Sequence, residues 1–123
     1  MNAPFVTTDA GTGIVHMAPA HGQEDYEVWR DAGFLKKYGL KSPVDALGRL
    51  VTDASWGLND VIRADVARLH GLEALGDGTE RLLQLLDAHS VLLSERPNVH
   101  SYPIDWRTKK PILTRATAQW FAD

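Results

Sequence analysis

Two β-favouring runs flank a glycine-rich turn near the start of the chain, and the second of them stops at a proline. Phe5-Val6-Thr7-Thr8 leads into Asp9-Ala10-Gly11-Thr12-Gly13, and Ile14-Val15-His16-Met17 runs out at Ala18-Pro19. Proline has no amide proton to give to a ladder, so the second run ends there and the pattern predicts a hairpin. Ala20-His21-Gly22 then reads as a loop, and Glu24-Asp25 supplies the acidic first turn that complements a helix dipole. Strand, loop and helix start follow within a few residues, which restricts the chain to folds that mix the two kinds of element.

The rest of the chain extends this pattern. Tyr26, Trp29 and Phe34 form an apolar stripe, with Gly33 and Gly39 as helix ends. Residues Pro43 to Val51 read as two short strands around a turn. Leu58, Val61, Ile62, Val66 and Leu69 recur at helical spacing. Gly76 to Glu80 punctuates the chain, and Thr79 or Asp77 is expected to cap a helix carrying Leu82, Leu83, Leu85 and Leu86. Val91-Leu92-Leu93 reads as a strand, and Val99 to Phe121 as extended segments with turns. The expected class is α+β, with short antiparallel strands and two or three helices. The first run begins just after Met1, with no room for a preceding unit, so more chain is expected upstream.

Composition narrows the function classes. A chain of 123 residues makes one domain or less. Its formal net charge of −3 gives no whole-chain reason to expect nucleic-acid binding, so any RNA contact needs a local basic patch. The absence of cysteine removes disulfides and thiolate metal sites. No apolar run approaches the ~20 residues that span a bilayer, so no membrane partner is expected. Met1-Asn2-Ala3-Pro4 carries no targeting pattern, and an intracellular setting is expected.

The densest polar cluster is His16, His21, Glu24 and Asp25, set around tight turns. A carboxylate here is suited to hold a substrate ammonium through charge-assisted hydrogen bonds. A histidine shapes a pocket, donates a hydrogen bond or moves a proton. Plainer readings compete: a lone strand histidine is more often structural than catalytic, His21 is a solvated loop residue, and Glu24 and Asp25 are helix-start acids. The spacing fits no His-Glu-x-x-His site, so no metal is expected.

A second cluster runs His100-Ser101-Tyr102-Pro103-Ile104-Asp105-Trp106-Arg107-Thr108-Lys109-Lys110-Pro111. Arg107, Lys109 and Lys110, with Trp106 and Tyr102 beside them, combine charges for phosphates with rings for bases. From composition alone the favoured alternative is a solvated basic loop whose aromatics face a neighbouring domain. Trp120-Phe121 is a separate pair of large apolar side chains that calls for a partner surface.

Three stretches together resemble the class I isoleucyl-tRNA synthetases. They are Gly11 to Tyr26, Pro43-Val44-Asp45 with Gly48, and His100 to Pro111 continuing through Arg115-Ala116-Thr117-Ala118-Gln119-Trp120-Phe121. They follow the family's order, while Asp53 to Asp77 matches poorly and looks longer than usual. Valyl enzymes typically carry lysine where His16 stands and aspartate where Gly22 stands, and leucyl enzymes lack a histidine at His16. Asp105 to Lys110 looks more like bacterial and mitochondrial enzymes than eukaryotic cytosolic ones.

The resemblance implies a fragment of an isoleucine–tRNA ligase, from the C-terminal half of its β-barrel-like editing domain. Residues 1–99 would be partial editing domain, and 100–123 the return toward an absent Rossmann core. Editing hydrolyses valine wrongly joined to the isoleucine tRNA. It is needed because one methylene is worth only ~1–3 kcal/mol in a hydrophobic pocket, a limit for which isoleucine against valine is the standard illustration. By this resemblance Asp25 binds the α-ammonium and His16 excludes the larger side chain, and these two are the catalytic pair. Gly13, Ala18 and His21 join them in lining the pocket, while Arg107, Lys109 and Lys110 are expected to touch tRNA from their basic character beside aromatics.

The implied partners are the 3′ end of the isoleucine tRNA carrying a noncognate amino acid, and the rest of the synthetase chain, in a mitochondrion or bacterial-type cytoplasm. The fragment is expected to hold no cofactor, since ATP belongs to the parent's catalytic domain. The signatures His-Ile-Gly-His and Lys-Met-Ser-Lys-Ser and the threonine-rich strip of the pocket are absent. The fragment alone is therefore expected to be inactive. The alternatives from other classes are a free-standing aminoacyl-tRNA deacylase and a non-catalytic RNA-binding or interaction module.

Overall fold

The regular structure is helical. The computed structural model describes residues 3, 5–9, 12–53, 59–97, 99 and 101–122. They contain α1 (Gln23–Asp31), α2 (Phe34–Tyr38), α3 (Asp60–Ala67) and α4 (Asp77–Ala88). No strand forms among the described residues. Isolated antiparallel bridges stand instead, joining Val44 to Leu50, Arg49 to Glu73 and Ile104 to Pro111.

This overturns the α+β expectation, and the β-barrel-like reading with it. Beyond the expected turn, Gly13 has φ of 71°, and a Cβ there would lie 3.5 Å from Thr8 Cγ2. The runs on either side form no ladder, and Ile14 is 85% exposed. Strand propensity reports how a side chain packs on cross-strand neighbours, and a lone hairpin with nothing covering it is marginal in water. Val91-Leu92-Leu93 fails in the same way. Ser90 enters the left-handed region at φ 56°, and Leu93 is 98% exposed. The turn position Gly11, the helix residue Leu58 and His100 lie outside the described residues.

The chain forms two compact units, Met1–Ser42 with Thr114–Asp123, and Pro43–Leu113. In the first, α1 and α2 are joined through Ala32 and Gly33, whose φ of 75° turns the backbone between them. Two members of the expected stripe, Trp29 and Phe34, close this hairpin together with Tyr38, which the stripe did not include. The Trp29 ring stands 5.0 Å from Phe34 and 6.2 Å from Tyr38, with Phe34 and Tyr38 5.7 Å apart. Trp29 Nε1 donates to the Gly39 carbonyl at 3.1 Å, so the indole packs without leaving its N–H unpaired. Among the described residues of this unit, Ala20 is the buried side chain.

In the second unit, Asp45 builds the turn expected between Pro43 and Val51. Its carboxylate accepts from the Leu47 and Arg49 amides at 2.8 and 2.9 Å. Residues 48 to 50 then pair with 71 to 74 through three backbone bonds: Leu50 N–H to Leu72 O, Gly71 N–H to Leu50 O and Ala74 N–H to Gly48 O. Asn59 caps α3 by accepting from Ile62 N–H at 3.0 Å. The cap of α4 differs from expectation. Gly76 is the N-cap residue, Asp77 lies inside the helix, and the Thr79 hydroxyl donates to Ala74 O at 2.6 Å instead of capping. Asp65 on α3 ties to both Arg68 (2.9 Å) and His89 (3.2 Å), which links the ends of α3 and α4. Val44 and Leu69 are buried. No helix of the described residues is long and apolar enough to cross a membrane.

Candidate functional site

The Ala18–Asp25 segment is held by its own backbone. The Ala18 carbonyl accepts from the amides of His21 (2.8 Å) and Gly22 (2.9 Å), which curls the chain into α1. The Ala18 amide in turn donates to Asp25 Oδ2 at 2.8 Å. Asp25 thus reaches back from the first turn of α1 to the residue where the curl begins. Gly22 leaves room for it, since a Cβ there would lie 3.0 Å from Oδ2 and 3.3 Å from Cγ. The carboxylate is half-buried, and among the described residues its other oxygen has no hydrogen-bond partner. A fixed carboxylate with one oxygen still open is an acceptor for a cationic donor such as an ammonium.

Behind this turn, residues from the far end of the chain complete the packing. His21 Nδ1 lies 2.9 Å from Thr114 O, and its Nε2 lies 3.3 Å from Ser42 Oγ. A carbonyl only accepts, so Nδ1 carries the proton, and in the neutral ring Nε2 accepts from the Ser42 hydroxyl. The carbonyl of buried Ala20 accepts from the Ala116 amide at 2.8 Å. His21 therefore clamps the curl to residues 114–116. Its ring is engaged on both nitrogens, unlike the solvated loop residue of the plainer reading. Ser42, Thr114 and Ala116 were not among the sequence candidates; two of them act through backbone atoms, which leave no mark on residue type.

The other candidates are placed as follows. Gly13 sits in the preceding turn beside Thr8. His16 is exposed, and no hydrogen bond or ion pair joins it to Asp25 among the described residues. The structure thus brings Ala18, Gly22 and Asp25 together with His21 behind them, and leaves His16 in solvent. A hollow of about 680 Å³ in the same unit is lined by Tyr26, Leu35, Leu40, Ser42 and residues 115 to 118, and neither His16 nor Asp25 is on its wall. No three His, Asp or Glu side chains converge as a metal site would need, among the described residues.

Arg107, Lys109 and Lys110 lie in the second unit, on a tight loop closed by Pro103 and Ile112. Ile112 N–H donates to Pro103 O at 3.0 Å, Asp105 N–H to Lys110 O at 2.9 Å, and Lys109 N–H to Asp105 O at 2.8 Å. Asp105 Oδ2 accepts from the Thr108 amide at 2.6 Å. The Thr108 side chain and amide, aided by the Arg107 amide, hold the Asp105 carboxyl below its usual range. Lys109 takes the left-handed conformation, φ 57°, which the closed loop imposes. The Arg107 guanidinium lies 4.6 Å from the centre of the Trp106 ring.

No protein-family model matches the chain. It is similar to the isoleucine–tRNA ligases of a Cyanothece species (45% identity over 118 residues) and a Synechocystis species (46% over 120). It is 42% identical over 120 residues to the chloroplastic/mitochondrial isoleucine–tRNA ligase of Arabidopsis thaliana. Each match covers 96% of this chain but only 9–11% of the relative, so the chain spans about a tenth of their length. Agreement at this level along nearly every residue, under one ligase name from cyanobacteria to plant organelles, means that the chain belongs to the isoleucine–tRNA ligase family, as a segment of its sequence.

Proposed function

We propose that this segment serves an isoleucine–tRNA ligase by holding the aminoacyl end of mischarged tRNA for hydrolysis. The observation that carries the reading is the Asp25 carboxylate, fixed through one oxygen by Ala18 N–H and open at the other. An aminoacyl ester presents one cation, its α-ammonium, and Asp25 is placed to receive it. Binding the ammonium orients the ester carbonyl for attack by water, a gain in proximity rather than in acid–base chemistry. His16, exposed on the run before Ala18, is the side chain assigned to discriminate by size, and Gly13 sets the turn that leads into that run. The tRNA, the noncognate valine and the rest of the synthetase are the partners of this reading. The adenylate-forming signatures are not among these residues, so ATP enters none of the steps proposed for them.

The test is binding of a non-hydrolysable valyl-aminoadenosine to the chain, followed by NMR. Wild type is expected to bind weakly, and Asp25→Ala to lose roughly ten- to hundredfold, as expected for losing one hydrogen bond to a charged group. Equal affinity for both proteins refutes the ammonium role. Deacylation of valyl-tRNA by the isolated chain is expected to be far slower than by a whole ligase, because the threonine-rich strip of the pocket is not in these residues.

A further inference from the structure

The Pro103–Ile112 loop presents a combination that the ammonium site does not use. Of its six tip residues, Asp105 to Lys110, three are basic and one acidic. The acid is spent within the loop, where the Thr108 amide holds its carboxylate. The basic side chains are all exposed. Trp106 is 71% exposed although it is the largest apolar side chain in the loop, and Arg107 lies over its ring. A tryptophan kept in water by a cross-braced turn is fixed there by the backbone, not by burial. With a guanidinium over one face, the other face remains for a second flat group. Flat rings strung on a polyanion are the chemistry of a single-stranded nucleic acid.

We propose that this loop is a stacking finger for unpaired RNA, with Trp106 as the platform for one base and Arg107, Lys109 and Lys110 set against neighbouring phosphates. Charge decides between RNA and a protein partner. A protein interface core is depleted in charge, whereas here three exposed cations follow Trp106 within four residues and one of them lies over its ring. Unpaired strand is favoured over duplex because a base already stacked in a helix offers no free face. The finger also supplies the local basic patch that a chain of net charge −3 needs to hold RNA. The proposal deepens the function proposed above by naming how the chain grips the strand, and it rests on that reading only for the strand being tRNA.

The experiment is a fluorescence-anisotropy titration of the full chain with an unstructured, unacylated RNA of about twelve nucleotides, at several salt concentrations. Binding is expected to weaken with salt, with a log–log slope near −2 for about three phosphates at ~0.7 each. Trp106→Ala is expected to lose roughly five- to hundredfold in affinity, and Trp106→Phe to keep most of it. Lys109→Gln and Lys110→Gln should each reduce the slope by about 0.7 while leaving the Trp106 effect in place. Circular dichroism that matches wild type shows that these exposed substitutions leave the fold intact. Equal binding by Trp106→Ala, equal binding of a blunt RNA duplex, or no salt-dependent binding overturns the proposal, and the last result is what a protein-docking loop would give. Because the RNA carries no aminoacyl group, failure here leaves the Asp25 reading standing. Loss of the valyl analogue beside intact Trp106-dependent RNA binding would overturn only the latter reading.

Discussion

Two aspartates in this molecule do the same local job to different ends. Asp25 bonds back to the amide of Ala18 and Asp105 bonds forward to the amide of Thr108, each fixing a tight turn. Asp25 keeps one oxygen without a partner among the described residues and sits half-buried beside a glycine. Asp105 is engaged by the Thr108 side chain as well as its amide, and its turn carries exposed cations and an indole. The first turn therefore keeps its charge available for a ligand, while the second uses its charge to hold other groups outward. A carboxylate bonded to backbone amides is thus no evidence of a site by itself. What matters is how much of its accepting capacity is left over.

The sharpest way to break this contrast is at His21, whose ring holds the Asp25 turn from behind. His21→Ala removes the ring contacts to Thr114 O and Ser42 Oγ. A loss of about 1–3 kcal/mol is expected, seen as a melting temperature lower by several degrees. His21→Asn, with an amide N–H in place of Nδ1–H, should recover part of it. Ser42→Ala breaks the longer of the two ring bonds and should lower the melting temperature in the same direction. No change in melting with His21→Ala would mean that the clamp does not hold the turn. The Trp106 finger, in the other compact unit, should keep its RNA affinity in all three variants.

A smaller effect separates holding the turn from holding a ligand. A methyl group at Gly22 meets Asp25 Oδ2 at 3.0 Å, while the backbone there, at φ −113°, is ordinary for any residue. Gly22→Ala is therefore expected to leave stability within about 1 kcal/mol of wild type, since reduced freedom of the unfolded chain offsets the crowding. The carboxylate must move aside, so affinity for the valyl analogue should fall by roughly three- to tenfold. Unchanged affinity would mean that the position of Asp25 does not matter, and with it the contrast between the two aspartates would fail.

How much of this was legible in the sequence follows from how far each interaction reaches along the chain. The α1 start at Glu24-Asp25, the aromatic stripe of Trp29 and Phe34 and the Asp45–Gly48 turn depend on near neighbours, and the residue pattern contains them. The β-rich runs at 5–8, 14–19 and 91–93 form no strand because such runs specify one only when something pairs with them, and the two strands expected within 43–51 are reduced to a single bridge of Val44 to Leu50. The resemblance carried the family correctly while carrying with it a barrel that the described residues do not form. The cap of α4 was misread because Thr79 found a carbonyl, Ala74 O, before it found an amide. His21 joins a residue 93 positions away, and no local pattern announces that. His16 and Asp25 were singled out together. The structure gives Asp25 a definite partner and leaves His16 exposed, so the carboxylate is the member whose surroundings add to what the sequence offered.

The smallest expected effect concerns the outward-facing turn and acid. Hydrogen bonds from the Thr108 side chain and amide favour the ionised form of Asp105 and lower its pKa from the ordinary value near ~3.9. A carboxyl whose pKa is lower folded than unfolded stabilises the fold above the ordinary value, and that contribution disappears as pH falls through the lowered one. The Thr108 amide resonance is therefore expected to follow the Asp105 titration, with a midpoint below that of an ordinary carboxyl. Asp105→Asn should abolish that titration while keeping part of the turn, because its amide oxygen still accepts from Thr108 N–H. The same substitution removes the loop's only negative charge, so RNA binding at neutral pH should strengthen slightly if the finger keeps its shape. A midpoint at or above the ordinary value would show that Asp105 is not held by its own turn. The exposed Trp106 would then need some other cause for its position.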